Sequence, residues 1–143
     1  MTFTPNEITY LTSQPLGRLA TVGPNGRPHV VPVGVFYDPE ARDIVIGGVE
    51  GSGMATSKKF RDAQRHPEVA LIVDDLASVD PWLPRYIEVR GWAKTHTSGG
   101  GDLGERIGAH MPFDPAYIRI HPRRIVTMGI DTDFFEVSAR DVA

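Results

Sequence analysis

Four cations, Lys58, Lys59, Arg61 and Arg65, crowd into eight residues of a chain whose formal net charge is −3. They follow a glycine-rich stretch, Val49 to Gly53, and two hydroxyl residues, Thr56 and Ser57. A helix starting there leaves its first backbone N–H groups without an intrahelical partner, at the positive end of the helix dipole. Hydroxyl and ammonium groups add donors, so the pattern suits a phosphate or another compact anion. The same residues describe equally well the basic face of an ordinary surface helix. A second cluster, Trp82, Arg85, Tyr86 and Trp92, combines flat aromatics with a guanidinium. Such groups cover ring systems or pair with anionic tails, although Trp92 reads more simply as packing.

Other chemistries find less support. No serine stands in a Gly-x-Ser-x-Gly turn, and no Ser has a triad-like neighbourhood. The five histidines (His29, His66, His96, His110, His121) are dispersed, with no i,i+3 or i,i+4 pair to hold a metal from one helical face. The absence of cysteine removes disulfides, thiolate metal sites and Cys nucleophiles. The acidic balance argues against a nucleic-acid partner. No apolar run approaches the roughly 20 residues of a membrane span, and the N-terminal residues carry no secretory pattern. A cytoplasmic protein without a membrane span or a metal is expected.

The elements that must position these residues are short. The chain has 143 residues, with 15 glycines and 12 prolines, which favours many brief elements over long helices. Thr4-Pro5-Asn6-Glu7 has the composition of a capping box, and Pro15 ends that helix. Strands are expected at Leu16 to Val22, His29 to Tyr37 and Ile44 to Gly48, joined as an antiparallel meander through the Gly23-Pro24-Asn25-Gly26 turn. A helix over Thr56 to Arg65 follows, then strands at Val69 to Val73 and Tyr86 to Thr95 with Asp74 to Arg85 as a loop. Thr97 to Gly101 reads as a flexible loop and Leu103 to Met111 as a short helix. Two final strands, Ala116 to Ile120 and Arg124 to Ile130, are separated by His121-Pro122-Arg123. Seven strands in one domain, residues 1–143, imply a mainly β fold, a closed or nearly closed antiparallel barrel with short helices.

The segments Gly17-Arg18-Leu19-Ala20-Thr21-Val22, Gly26-Arg27-Pro28-His29-Val30-Val31-Pro32-Val33, Ser57-Lys58-Lys59, Val69-Ala70-Leu71-Ile72-Val73 and Ile87-Glu88-Val89-Arg90-Gly91-Trp92 occur in that order. Together they resemble the pyridoxamine 5′-phosphate oxidase-like superfamily, over about Ile8 to Ile130. The resemblance implies a split β-barrel of the FMN-binding type, working as a homodimer with two flavin-type cofactors in clefts between subunits. In the oxidases a Ser-Arg-Lys run helps bind the flavin phosphate, and Ser57-Lys58-Lys59 matches it. The oxidases also carry an Arg and a Lys on the second strand. This chain has apolar residues there, around Val31 and Phe36, and Tyr86 where the oxidases commonly have Gln.

The short chain, the Leu-Ala-Thr-Val opening and the Ile-Glu-Val-Arg-Gly segment are similar to the actinobacterial branch that uses the 8-hydroxy-5-deazaflavin coenzyme F420. That likeness implies an F420-dependent reductase acting on a planar organic substrate. Lys58 and Lys59 would neutralise the phosphate and polyglutamate tail, with Thr56 and Ser57 beside them in the cofactor site. Pro32, Val33 and Gly34 would run along the ring. Trp82, Arg85 or Tyr86 would border it, Trp82 or Arg85 from the partner subunit. Hydride transfer is the cofactor's chemistry, so no side chain is assigned to that step. The proton would come from solvent, Tyr86 or His29. FMN is the alternative cofactor, and a non-catalytic F420, flavin or haem carrier is the alternative role.

Overall fold

A computed structural model describes residues 2–142. Helix α1 (Pro5–Ser13) starts as its composition dictates. The Thr4 hydroxyl accepts from the Glu7 amide at 3.1 Å, and the Glu7 carboxylate accepts from the Thr4 amide at 2.9 Å. The helix buries Tyr10 and Leu11. It also buries Glu7, whose charge is met by both terminal nitrogens of Arg140 at 2.8 and 2.6 Å.

Seven strands follow: β1 (Leu16–Val22), β2 (Pro28–Asp38), β3 (Asp43–Val49), β4 (Glu68–Ser78), β5 (Leu83–His96), β6 (Phe113–Met128) and β7 (Val137–Asp141). A 3-10 turn (Met54–Thr56) and α2 (Lys58–Arg65) connect β3 to β4, and α3 (Gly100–Arg106) connects β5 to β6. The strands pair antiparallel in the order β3-β2-β1-β4-β5-β6-β7, and a further β3–β6 pairing closes the first six into a barrel. Strand β6 serves both partners: its first half pairs with β3 and its last five residues with β7.

Alternation decides what faces inward. Leu19, Val33, Val35, Leu71, Val73, Ile87 and Val89 fill the barrel with Ile44, Ile46, Ile118 and Ile120. The opposite face of β2, β1, β4 and β5 carries Pro32, Gly34, Arg18, Ile72, Tyr86 and Glu88 outward. A smaller cluster outside the barrel packs Leu103 of α3 on Val45, Phe113 and Tyr117, with Phe36 and Met111 at its edge.

In the sheet and its α3 connection the expected elements differ from the structure in four places. Asp74 to Arg85 is not a loop: β4 runs on to Ser78 and β5 starts at Leu83. The carboxylates of that stretch are tolerated in a sheet because they are paired, Asp74 with Arg18 at 2.7 Å and Asp75 with Arg85 at 2.6 Å. His121-Pro122-Arg123 does not divide two strands. Pro122 lies opposite Gly91, where the register shifts, so a bulge absorbs the missing N–H and β6 continues. The helix expected over Leu103 to Met111 runs earlier, over Gly100–Arg106, and takes the end of the supposed flexible loop with it. Finally, β7 (Val137–Asp141) forms beyond the last strand expected, and its Arg140 pairs with Glu7 of α1.

Gly91 allows the bulge. A Cβ there would lie 2.2 Å from the His121 carbonyl oxygen, and backbone cannot step aside cheaply. Gly91→Ala is expected to cost about 2 kcal/mol of unfolding free energy. Urea melts of the two proteins check this, and equal midpoints would refute the bulge as the reason for glycine. Among the described residues no helix is long and apolar enough to cross a membrane.

Candidate functional site

The glycine-rich loop is held from below by one carboxylate. Buried Asp114, at the start of β6, accepts from the amides of Gly51 (2.6 Å), Gly53 (3.0 Å) and Met54 (2.9 Å). The Met54 and Gly51 amides, with that of Gly53, hold its carboxyl below the usual carboxylate range despite burial. These three donors therefore face a side chain of the same protein and are not available to an outside anion. The hydroxyls are engaged as well. Thr56 Oγ1 donates to the Gly53 carbonyl (3.1 Å), and Ser57 Oγ donates to the Met54 carbonyl (2.6 Å) while accepting from the Phe60 amide (3.4 Å). Ser57 is thus the N-cap of α2, and the helix begins two residues later than Thr56, which sits in the 3-10 turn. The amides of Lys58 and Lys59 remain as its outward donors.

The two lysines differ. Lys58 Nζ lies 3.0 Å from Asp62 Oδ2, beside the β1–β2 turn, where a Cβ on Gly23 would be 3.2 Å away. Asp62 is fully buried and also accepts from Thr21 Oγ1 (3.1 Å) and Arg65 Nη2 (3.5 Å). Burial raises its carboxyl, but the bonds from Lys58, Thr21 and Arg65 outweigh that and keep it below the usual range. Lys59 has no carboxylate partner among the described residues, and neither has Arg61. Lys59 is half-buried, and that desolvation alone lowers its pKa. A half-desolvated ammonium with no acid beside it fits an anionic group. It also disfavours plain solvation as the account of this helix face.

The remaining sequence candidates fall on the outer face of the sheet or its hairpin tip. On β2, Pro32 is exposed and Gly34 half-buried on that face, whereas Val33 points into the barrel, so only its backbone can meet a ligand. Tyr86 lies on the same outer face of β5, but β1 and β4 intervene, placing it roughly 14 Å from Gly34 at ordinary strand spacing. Trp82 is 59% exposed at the β4–β5 hairpin tip. Arg85 is already engaged: its Nε and Nη2 reach Asp75 at 2.9 and 2.6 Å, and it stacks 5.1 Å from the Tyr10 ring. Trp92 is not packing residue but is 42% exposed under the Arg123 guanidinium. Of the two side chains considered as proton donors, His29 keeps a shielded Nδ1 with no hydrogen-bond partner and Tyr86 is half-buried.

Within one chain, then, Thr56, Ser57, Lys58 and Lys59 form one group at the α2 start, Pro32 and Gly34 a strand platform, and Trp82, Arg85 and Tyr86 a separate group. Sequence reasoning missed Asp62 and Asp114. The i,i+4 spacing of Lys58 and Asp62 was a usable signal. Asp114 gave none, because its partners are sixty residues away.

The pyridoxamine 5′-phosphate oxidase family pattern matches residues 4–132. This chain belongs to that family. Within it, a 5a,11a-dehydrotetracycline/5a,11a-dehydrooxytetracycline reductase of Streptomyces rimosus is 43% identical over 143 residues, spanning 99% of this chain and 94% of the relative. An FAD-binding protein from Mycobacterium smegmatis shares the fold with a TM-score of 0.61 at 25% identity, over 87% of this chain and 92% of its own. An F420 reductase superposes with a TM-score of 0.59 at 24% identity, over 85% and 98%.

Proposed function

We propose that this protein is a cytoplasmic, homodimeric, single-domain oxidoreductase that uses reduced F420 to reduce a planar, electron-poor organic molecule. The observation that carries the reductase part of this reading is the near end-to-end 43% identity to a dehydrotetracycline reductase. The unpaired, half-buried Lys59 supports it by fitting an anionic cofactor.

Bound F420 would supply the hydride. The chain's own part is binding and orientation. Lys59, with the two outward amides of α2, would hold the phosphate. Lys58, already shared with Asp62, would add field more than a direct bond. The backbone of Pro32 to Gly34 would support the ring, with Val33 anchoring the strand from inside. The β2 platform and the β5 aromatics are roughly 14 Å apart in one chain. Trp82 would therefore complete a site on the partner subunit, whereas Arg85 is kept at home by Asp75. The fused rings of a dehydrotetracycline match the planar substrate class.

FMN is the second reading, favoured by the likeness to an FAD-binding protein. Fluorescence titration of the purified protein with F420 and with FMN separates the two. Saturable quenching of F420 at micromolar concentration, with weaker FMN binding, is expected. Micromolar FMN binding without F420 binding would reverse the assignment. A stopped-flow assay of cofactor oxidation with a panel of enones, quinones and tetrapyrroles then tests turnover, and saturable binding without turnover on any of them would make the protein a carrier.

A further inference from the structure

A cavity of about 650 Å³ opens between α3, the end of β3 and the start of β6. This is within the size range of small-molecule sites. Buried Phe113 backs it, half-buried Met111 and exposed His110 line it, and three exposed carboxylates stand around it, those of Glu50, Asp102 and Glu105. None of the three has a cationic partner among the described residues. The one cation on α3, Arg106, is turned away to Asp38 and Glu40 at 2.8 and 3.0 Å.

The cavity borders the strand platform. A Cβ on Gly34 would meet Phe36 Cε2 at 3.2 Å and Met111 Cε at 3.8 Å. Phe36 in turn packs against Phe113 at 4.8 Å and His110 at 5.4 Å between ring centroids. His110 and Met111 thus line the cavity and touch the β2 surface at once. Glu50 connects it to the glycine-rich loop, its amide donating to the Pro112 carbonyl at 2.9 Å. The glycines of α3 shape the space. A Cβ on Gly104 would press on the Phe113 ring at 3.0 Å, whereas Gly101 has nothing within 4 Å and faces the opening.

We infer that this cavity seats the substrate, and that it selects a flat fused-ring molecule carrying an ammonium group. The inference rests on the reductase reading above and names its substrate class. The Met111 thioether and the His110 ring meet the ring faces, and the unpaired carboxylates attract a cationic substituent. The three acids at the rim would disfavour an anionic ring system of equal size.

Binding tests this without turnover. Tetracycline, a four-ring ligand with a dimethylammonium group, and its 4-dedimethylamino analogue are titrated in the presence of a chelator. The wild-type protein should bind tetracycline about fivefold more tightly, in line with several partly exposed charge contacts. The Asp102→Asn/Glu105→Gln double variant should lose that preference. Gly101→Leu, which fills the opening from a helical position free of steric conflict, should weaken both ligands at least tenfold with an unchanged melting temperature. Equal affinity for the two compounds in the wild type, or unchanged affinity in Gly101→Leu, overturns the inference. Parallel titration with F420 keeps the two readings apart. Retained F420 affinity with no amine preference overturns this inference alone. An amine preference without F420 affinity supports the cavity and refutes the deazaflavin.

Discussion

Lys59→Ala is expected to weaken F420 binding by roughly 30-fold, about 2 kcal/mol, the size of one charge-assisted contact in a partly desolvated place. It should leave the melting temperature of the cofactor-free protein unchanged or slightly higher. Lys58→Ala should do the reverse, lowering affinity only a few-fold but costing about 1 kcal/mol of stability, because it strips a partner from buried Asp62. The neighbours are equivalent in sequence and opposite in consequence, since one already has an acid. The pH dependence follows from the same burial. The folded-state pKa of Lys59 lies below its ordinary 10.5, so between those two values the unfolded chain holds more protons and stability rises with pH. In the proposed binding mode cofactor affinity needs the ammonium, so it should fall on the alkaline side before an ordinary lysine would titrate. That limb should be missing in Lys59→Ala. Equal dissociation constants for the two single variants would refute the division of labour.

Asp114→Ala is the second large effect. Three amides lose their acceptor, and that of Met54 lies in a buried residue with little access to water. A loss of about 3 kcal/mol is expected, read as a shifted urea midpoint. F420 binding should weaken too, because the loop aims the start of α2. The carboxyl titrates below its ordinary 3.8 when folded. Its contribution is therefore present above that value and fades as pH falls through the folded pKa. Acid unfolding should be shallower in the variant, and superimposable acid profiles would remove Asp114 from this role.

Local signals were legible wherever the determining residues are neighbours. The Thr4–Glu7 capping box, the Asn25-Gly26 turn and the alternation of Ile87, Val89, Gly91 and Ala93 each act within a few residues, and each appears as read. What escaped depends on distant partners. Asp74 and Asp75 look like loop residues until Arg18 and Arg85 are placed opposite them. Pro122 looks like a strand break until Gly91 supplies room for a bulge. Thr56 looks like a helical donor until the 3-10 turn anchored by Asp114 at Met54 takes it in. The candidate site follows the same division. Clustered positive charge showed in the sequence, but which lysine is unpaired is set by packing against β1. The cavity under α3 comes from glycines and rim acids whose spacing carries no periodic signal.

The sheet order divides the strands into two meanders, β1–β3 and β4–β7, each built from pairings between consecutive strands. Among the described residues only β1–β4 and β3–β6 join them, and the second spans some seventy residues of chain. Hairpins can therefore form early and independently, while the two seams wait on a search through a large loop ensemble. The seam between β3 and β6 carries the loop, Asp114 and the α3 cavity together. The half of the molecule that carries the proposed site should thus be among the last parts of the barrel to assemble.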